Sequence, residues 1–172
     1  MAEASLRAGR PTARGGLPNA QFVVAAAERP PAALHGIAAE VTILFPWGSL
    51  LRGALALDDA RAAAAGIALL VTPGGRIGAL VSIDPRDRLD IAPLTIADCE
   101  RLACRWARVG LTLTGFAPAG DAVIRASGSS WARRLGAGRD RAVWAIELAR
   151  PVPEAVCARG RSVPEGVLAG HR

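Results

Sequence analysis

An α/β fold with a mostly parallel sheet is predicted by three observations in this 172-residue sequence. Three short runs, 22–26, 41–45 and 77–83, are continuously apolar rather than alternating, the pattern of strands covered by helices on both faces. Stretches with helical start and stop signals separate the later runs. Two further strand-like runs, 111–116 and 142–148, close the pattern, so strand and helix alternate along the chain as in layered α/β domains.

Taken in order, residues 1–8 read as the end of a helix closed by Gly9, and the basic, Gly/Pro-rich stretch 10–16 reads as a loop. The run 22–26 is the first strand, with Glu28 just past its carboxyl end, and 41–45 is the second, followed by Pro46 and Trp47. Asp58 can cap a helix over 59–70, after which Thr72-Pro73-Gly74-Gly75 turns the chain into the third strand. Thr95 caps the next helix, Asp98 three residues on completes a capping box, and Leu94 can staple onto Cys99. Cys99, Leu102, Ala103 and Trp106 then share one helical face, which places Trp106 in the core. Trp144, inside the last strand, is read the same way. From Arg150 onward prolines recur and periodicity is lost, which predicts one domain over 1–149 and a loose tail over 150–172.

With 51% hydrophobic residues the chain can bury a real core, and its length suits a single domain. The formal charge is +6 and every basic side chain other than histidine is arginine. Arginine's planar fork matches phosphate, so a polyanionic partner fits, although a GC-rich coding bias writes arginine for lysine too. No apolar run is long enough for a membrane span, and the first residues lack the basic start and apolar stretch of a secretion signal. Cys99, Cys104 and Cys157 have no metal-ligand spacing and are odd in number, so neither a zinc site nor a disulfide framework is expected. These readings predict a cytoplasmic protein with no membrane partner and no metal.

Two of the four tryptophans lie outside apolar runs: Trp47 in Phe45-Pro46-Trp47-Gly48-Ser49, and Trp131 in Ser129-Ser130-Trp131-Ala132-Arg133-Arg134. Brought together, two such indoles can hold a flat aromatic ring, each face adding about 1–3 kcal/mol of stacking per base. Ligands on layered sheets bind beyond the carboxyl ends of strands, and Glu28 and Trp47 both follow such ends. Arg133 and Arg134 read as a solvated helix face.

These strings, with Gly15-Gly16-Leu17-Pro18-Asn19-Ala20 and Ala25-Ala26-Ala27-Glu28, resemble in order and spacing the aminoglycoside-resistance 16S rRNA (adenine(1408)-N(1))-methyltransferases over about residues 1–148. The resemblance implies a partial Rossmann-like class I methyltransferase fold, S-adenosyl-L-methionine as cofactor and 16S rRNA of the 30S subunit as partner. It implies that Ala27, Glu28, Trp47 and Ser49 meet the cofactor. Phe45 and Pro46 would lie near the target base, Trp47 and Trp131 would stack on it, and Ser129 would help seat it. Arg10, Arg14, Arg139 and Arg141 would contact the RNA. The chemistry agrees with the absence of a Ser/His/Asp constellation. Adenine N1 carries a lone pair and no proton, so its methylation needs no general base, and alignment alone can supply about 7–11 kcal/mol. A base within folded RNA must first be taken out of its stack.

The family's first strand, its glycine-rich loop and the second strand ending in an acid have no counterpart in this sequence. This predicts a fold lacking its first two strands and S-adenosylmethionine binding that is weak or absent, the sign of a mis-set start codon or a fragmentary gene, and so of an inactive fragment, unless the gene encodes a genuinely reduced protein. Two alternatives stay open on the sequence: a non-catalytic RNA-binding remnant, and a methyltransferase of this fold with another substrate.

Overall fold

The computed structural model describes residues 9–17 and 19–153. The helix expected over 1–8, and the tail from 154 on, lie outside the described residues. The regular elements are β1 (Ala38–Leu44), α1 (Gly48–Ala54), α2 (Arg61–Leu70), β2 (Val71–Val81), α3 (Cys99–Ala107), β3 (Thr112–Pro118), α4 (Asp121–Ala126), α5 (Ser130–Leu135) and β4 (Trp144–Ala149).

One four-stranded sheet runs in the order β1-β2-β4-β3. β1 and β2 are parallel, joined by the α1–α2 crossover, whereas β4 inserts between β2 and β3 and runs antiparallel to both. The sheet is therefore mixed where the unbroken apolar runs predict a mostly parallel one.

Burial explains the difference. Ile77, Ala79 and Val81 of β2 stand beside Leu148, Ile146 and Trp144 of β4, and all six are buried on one face. Leu51 of α1, Ile67 of α2, and Leu102 and Trp106 of α3 complete that core. Each large apolar side chain fully buried there is worth about 1.5–3 kcal/mol. Among the described residues, the opposite face is covered only near the carboxyl end of β2, where Leu80 joins Phe45, Ile124, Ala132 and Val143. Elsewhere it carries exposed polar residues, with Arg76 donating to Glu40 at 2.8 Å. Burial thus alternates along much of the sheet.

The expected first strand does not form. Residues 22–26 carry no ladder, and Phe22, Val23 and Val24 are exposed. A strand exists only against a neighbour, and β1 pairs on one side alone among the described residues. Apolar composition reports a wish for burial, not the presence of a partner.

Three local expectations are also revised. Asp58 does not cap α2; it accepts from Arg108 at 3.0 Å while Asp59 accepts from Arg52 at 2.7 Å, so both aspartates tether neighbouring helices. Residues 72–75 are not a turn before the strand but a register shift within β2, where Gly74 takes φ +80°. Arg150 is not loose: its backbone pairs with Gly74 and Gly75 at 2.8 and 2.9 Å, and its guanidinium donates to the Val71 carbonyl at 2.6 Å.

The Thr95–Asp98 signal holds. The Asp98 carboxylate accepts from the Thr95 N–H at 2.8 Å and its hydroxyl at 3.0 Å, just ahead of α3. Trp106 is fully buried, and Trp144 stacks on Phe116 with ring centroids 4.6 Å apart, a contact worth about 0.5–1.5 kcal/mol beyond burial.

Candidate functional site

The site is organised by the six residues after β1. At Phe45 the backbone turns left-handed, φ +48°, while its N–H still donates to the Leu80 carbonyl at 2.8 Å and its ring is buried. A side-chain-bearing residue in this region costs about 1–2 kcal/mol. Burial of the ring against Leu80 and Val143 offsets that cost and fixes the bend. Pro46 is buried behind it, Trp47 is half exposed, and Gly48 (φ +57°) lets the chain enter α1 at once.

On one side of this bend lies a cleft of about 420 Å³. Ala27 and Glu28 form one wall, and Ser49 and Leu50 at the start of α1 form another, with Ile43 of β1 and Ile67 of α2 also lining it. The structure thus joins three of the four residues predicted to meet a cofactor; the fourth, Trp47, is not in the lining. The walls are apolar except for the Glu28 carboxylate and the Ser49 hydroxyl. Such a lining suits a flat heterocycle with polar edges, and its volume is that of small-molecule sites.

On the other side stands the α4–α5 region. Ser129 caps α5, its Oγ accepting from the Ala132 N–H at 3.2 Å, which leaves the hydroxyl proton free to donate. Trp131 is exposed on the first turn, and Ala132 beside it is buried in the cluster that contains Phe45. The two tryptophan-bearing strings, far apart in the chain, are therefore anchored in one small core. Trp47 and Trp131 do not stack on each other; both remain half exposed, 46% and 43%. A second cleft, about 450 Å³, opens at this end and is lined by Ser129, Arg125, Arg133 and Arg139.

The predicted RNA-contacting arginines separate into groups. Arg139 is exposed on the second cleft. Arg10 and Arg14 are exposed around the turn Thr12–Arg14 and share no cleft with Arg139. Arg141 does not face solvent. Its side chain is 8% exposed and forms a two-pronged ion pair with Asp87, with Nη1 to Oδ1 at 2.9 Å, while its Nε donates to Ser82 at 3.2 Å. A guanidinium so engaged is structural here, which corrects its assignment to RNA contact. Nearby, the Arg86 side chain and backbone N–H hold the Asp84 carboxyl well below the usual carboxylate range.

In the sequence, Arg133 carries only the signal of a solvated helix face that it shares with Arg134, and Arg125 carries none. Their place on the cleft follows from the glycine turns after α4 and α5, Gly128 (φ +62°) and Gly136 (φ +65°), which pattern does not locate in space.

Comparison with known proteins gives one answer. The NpmA family, described as 16S rRNA (adenine(1408)-N(1))-methyltransferase, matches residues 1–150. An rRNA methyltransferase of Saccharopolyspora hirsuta is 35% identical over 133 residues, 74% of this chain and 83% of that protein. A 16S rRNA (adenine(1408)-N(1))-methyltransferase of Streptoalloteichus hindustanus is 32% identical over 149 residues, covering 82% of this chain; this chain spans 66% of that relative's length. Among solved structures, a tryptophan-to-alanine mutant of the 16S rRNA (adenine(1408)-N(1))-methyltransferase from Catenulisporales acidiphilia, crystallised with the cosubstrate SAM, superposes with a TM-score of 0.75 at 32% identity. That match covers 90% of this chain and 72% of that one. The fold is that of class I methyltransferases, and the chain belongs to the 16S rRNA (adenine(1408)-N(1))-methyltransferase family.

Proposed function

We propose that this chain carries the S-adenosylmethionine-dependent transfer of a methyl group to N1 of the decoding-site adenine in 16S rRNA, the modification that gives aminoglycoside resistance. The observation that supports this reading most directly is the span from Phe45 to Leu50. Its first residue is buried with the Trp131-bearing helix, and Ser49 and Leu50 line the cleft that also holds Glu28. A cleft suited to a cofactor and a rim suited to a base are thus joined by six residues at the carboxyl end of one strand, where ligands of such sheets bind.

S-adenosylmethionine, when bound, supplies the electrophilic methyl group. Ala27, Leu50 and Ile67 would pack on its adenine, with Glu28 and Ser49 meeting its polar edges. Trp47 and Trp131 would hold the displaced base by its faces, buried Phe45 and Pro46 would fix the floor beneath Trp47, and the free Ser129 hydroxyl proton would reach the base edge. No side chain needs to take a proton from N1, so the chain's work is binding, alignment and exclusion of water. Arg139, Arg125 and Arg133 on one end, with Arg10 and Arg14 on the early turn, would meet phosphates, which orient a folded RNA without reading its sequence. The 30S subunit presents that RNA surface, and the reaction uses no metal and no membrane.

The test is mass mapping of 16S rRNA from 30S subunits incubated with the purified chain and S-adenosylmethionine. The expected product is N1-methyladenine in the decoding site. Methylation elsewhere would move the assignment to another substrate, and RNA binding without cofactor binding would replace it with a non-catalytic role.

A further inference from the structure

α2 reads Arg61-Ala62-Ala63-Ala64-Ala65-Gly66-Ile67-Ala68-Leu69-Leu70, and a single glycine interrupts its alanines. Alanine is the best helix former and glycine costs about 1 kcal/mol relative to it in a helix interior. A chain that fills this helix with alanine therefore departs from its own habit at Gly66. The reason is steric. A Cβ at Gly66 would lie 1.8 Å from the Ala27 carbonyl oxygen, 2.9 Å from the Ala27 carbonyl carbon and 3.0 Å from Cδ of Pro30. Two of these atoms are backbone and the third belongs to a ring, so no rotamer relieves the contact.

The segment held against Gly66 is stiff. Arg29 closes a turn onto Ala26 at 3.1 Å, Pro30 and Pro31 restrict the next two residues, and His35 donates from Nε2 to the Pro30 carbonyl at 3.1 Å. Ala27 and Glu28, at the head of this segment, form one wall of the 420 Å³ cleft, and Ile67, next to Gly66 in sequence, lines the same cleft. The distance between those walls is set where Ala27 rests on the helix.

We propose that Gly66 is the positioning residue of the cofactor cleft: its missing Cβ seats the Ala27 carbonyl on α2 and so fixes the cleft's width at Glu28. This rests on the cofactor reading above. Any larger residue pushes Ala27 back by more than an ångström toward ordinary contact, and overpacking strain of that kind changes an equilibrium constant about tenfold to a hundredfold.

The experiment is equilibrium dialysis of labelled S-adenosylmethionine against the wild-type chain, Gly66→Ala, and Ala62→Gly as a control on the exposed side of the same helix, with circular dichroism and 30S binding measured in parallel. The expected result is a Kd for S-adenosylmethionine raised at least about tenfold in Gly66→Ala, with helix content and 30S affinity unchanged, and a Kd within twofold of wild type in Ala62→Gly. A merely structural role would lower both affinities together. Binding by Gly66→Ala within twofold of wild type overturns the inference while leaving the cofactor reading in place. Absence of binding by the wild-type chain itself overturns the cofactor reading and the inference with it. Should Gly66→Ala not fold, His35→Ala takes its place, since it releases the Pro30 carbonyl of the seated segment and itself belongs neither to α2 nor to the cleft lining. A severalfold rise in Kd supports the inference and an unchanged Kd overturns it.

Discussion

Arg141 and Asp87 form a buried ion pair, both side chains less than a tenth exposed, that joins the turn after β2 to the segment before β4. The clasp is reciprocal, because Arg86 from that same turn donates to the Asp140 carbonyl at 3.1 Å. Ser82, the residue after β2, links the two sides again: it donates to the Ala142 carbonyl at 2.8 Å and accepts from Arg141. The segment so held carries Arg139, an exposed arginine that lines the second cleft. One arginine of the pair Arg139/Arg141 therefore positions the loop and the other faces outward.

Arg141→Ala leaves the Asp87 carboxylate buried without its partner and is expected to destabilise the fold by about 3–5 kcal/mol. Replacing both residues with methionine removes the charge and should recover most of that loss. Urea denaturation of the three proteins measures it; a loss under about 1 kcal/mol in Arg141→Ala would show that the pair is solvated in solution.

Arg139→Ala should leave stability within about 0.5 kcal/mol of wild type, because the side chain is exposed. Binding to 30S subunits should weaken, and the slope of log K against log salt should become shallower by about 0.7–0.9, the signature of one lost phosphate contact. The Arg141→Met, Asp87→Met protein should keep the wild-type slope. Equal slopes for Arg139→Ala and wild type would remove Arg139 from the interface.

Asp98 carries an acid-sensitive share of stability. Burial works to raise its pKa, but hydrogen bonds from the Thr95 backbone, Arg101 and the Thr95 hydroxyl outweigh it, and the folded value lies below the unfolded one. A carboxylate lowered on folding stabilises fully above its unfolded pKa, and that stabilisation is lost as pH falls through the folded value. Asp98→Ala should therefore lower Tm by about 2–4 °C at pH 7, the effect of roughly 1 kcal/mol of lost capping in a chain of this size. The difference from wild type should shrink steadily below about pH 4. A Tm difference that persists unchanged at pH 2 would assign the effect to packing rather than charge.

Local signals in the sequence translated well where the physics is local. The Thr95–Asp98 capping box needs only a three-residue spacing, and Trp106 and Trp144 lie in patterns that only burial satisfies. What depended on distant partners was less legible. The run 22–26 reads as a strand because its side chains are apolar, yet strand formation is decided by a neighbour the run itself does not encode. Arg139 and Arg141 are equivalent in sequence, and only Asp87, more than fifty residues earlier, tells them apart. At the site, the family resemblance singles out Glu28 and Ser49, and what the structure adds is that both line one cleft. Gly66, which sets that cleft's wall, carries a signal only in hindsight: one glycine among alanines.

Trp131 offers the sharpest separation of fold from function. It is 43% exposed on the first turn of α5, and the residue that anchors that turn is its neighbour Ala132, buried with Phe45, Leu80, Ile124 and Val143. Truncating the indole therefore removes little core contact, and Trp131→Ala should hold its Tm within about 2 °C of wild type. Methylation of 30S subunits should fall by about 10- to 100-fold, the equivalent of one lost stacking face. Trp131→Phe, which keeps a smaller aromatic face, should retain an intermediate rate. Ala132→Leu should do the reverse: overpacking the anchor costs about 1–3 kcal/mol of stability and tilts α5, even though the indole is intact. Single-turnover rates for the three variants, read beside their Tm values, decide the matter. Activity that survives in Trp131→Ala would place the base elsewhere on the rim, with Trp47 as the remaining stacking surface.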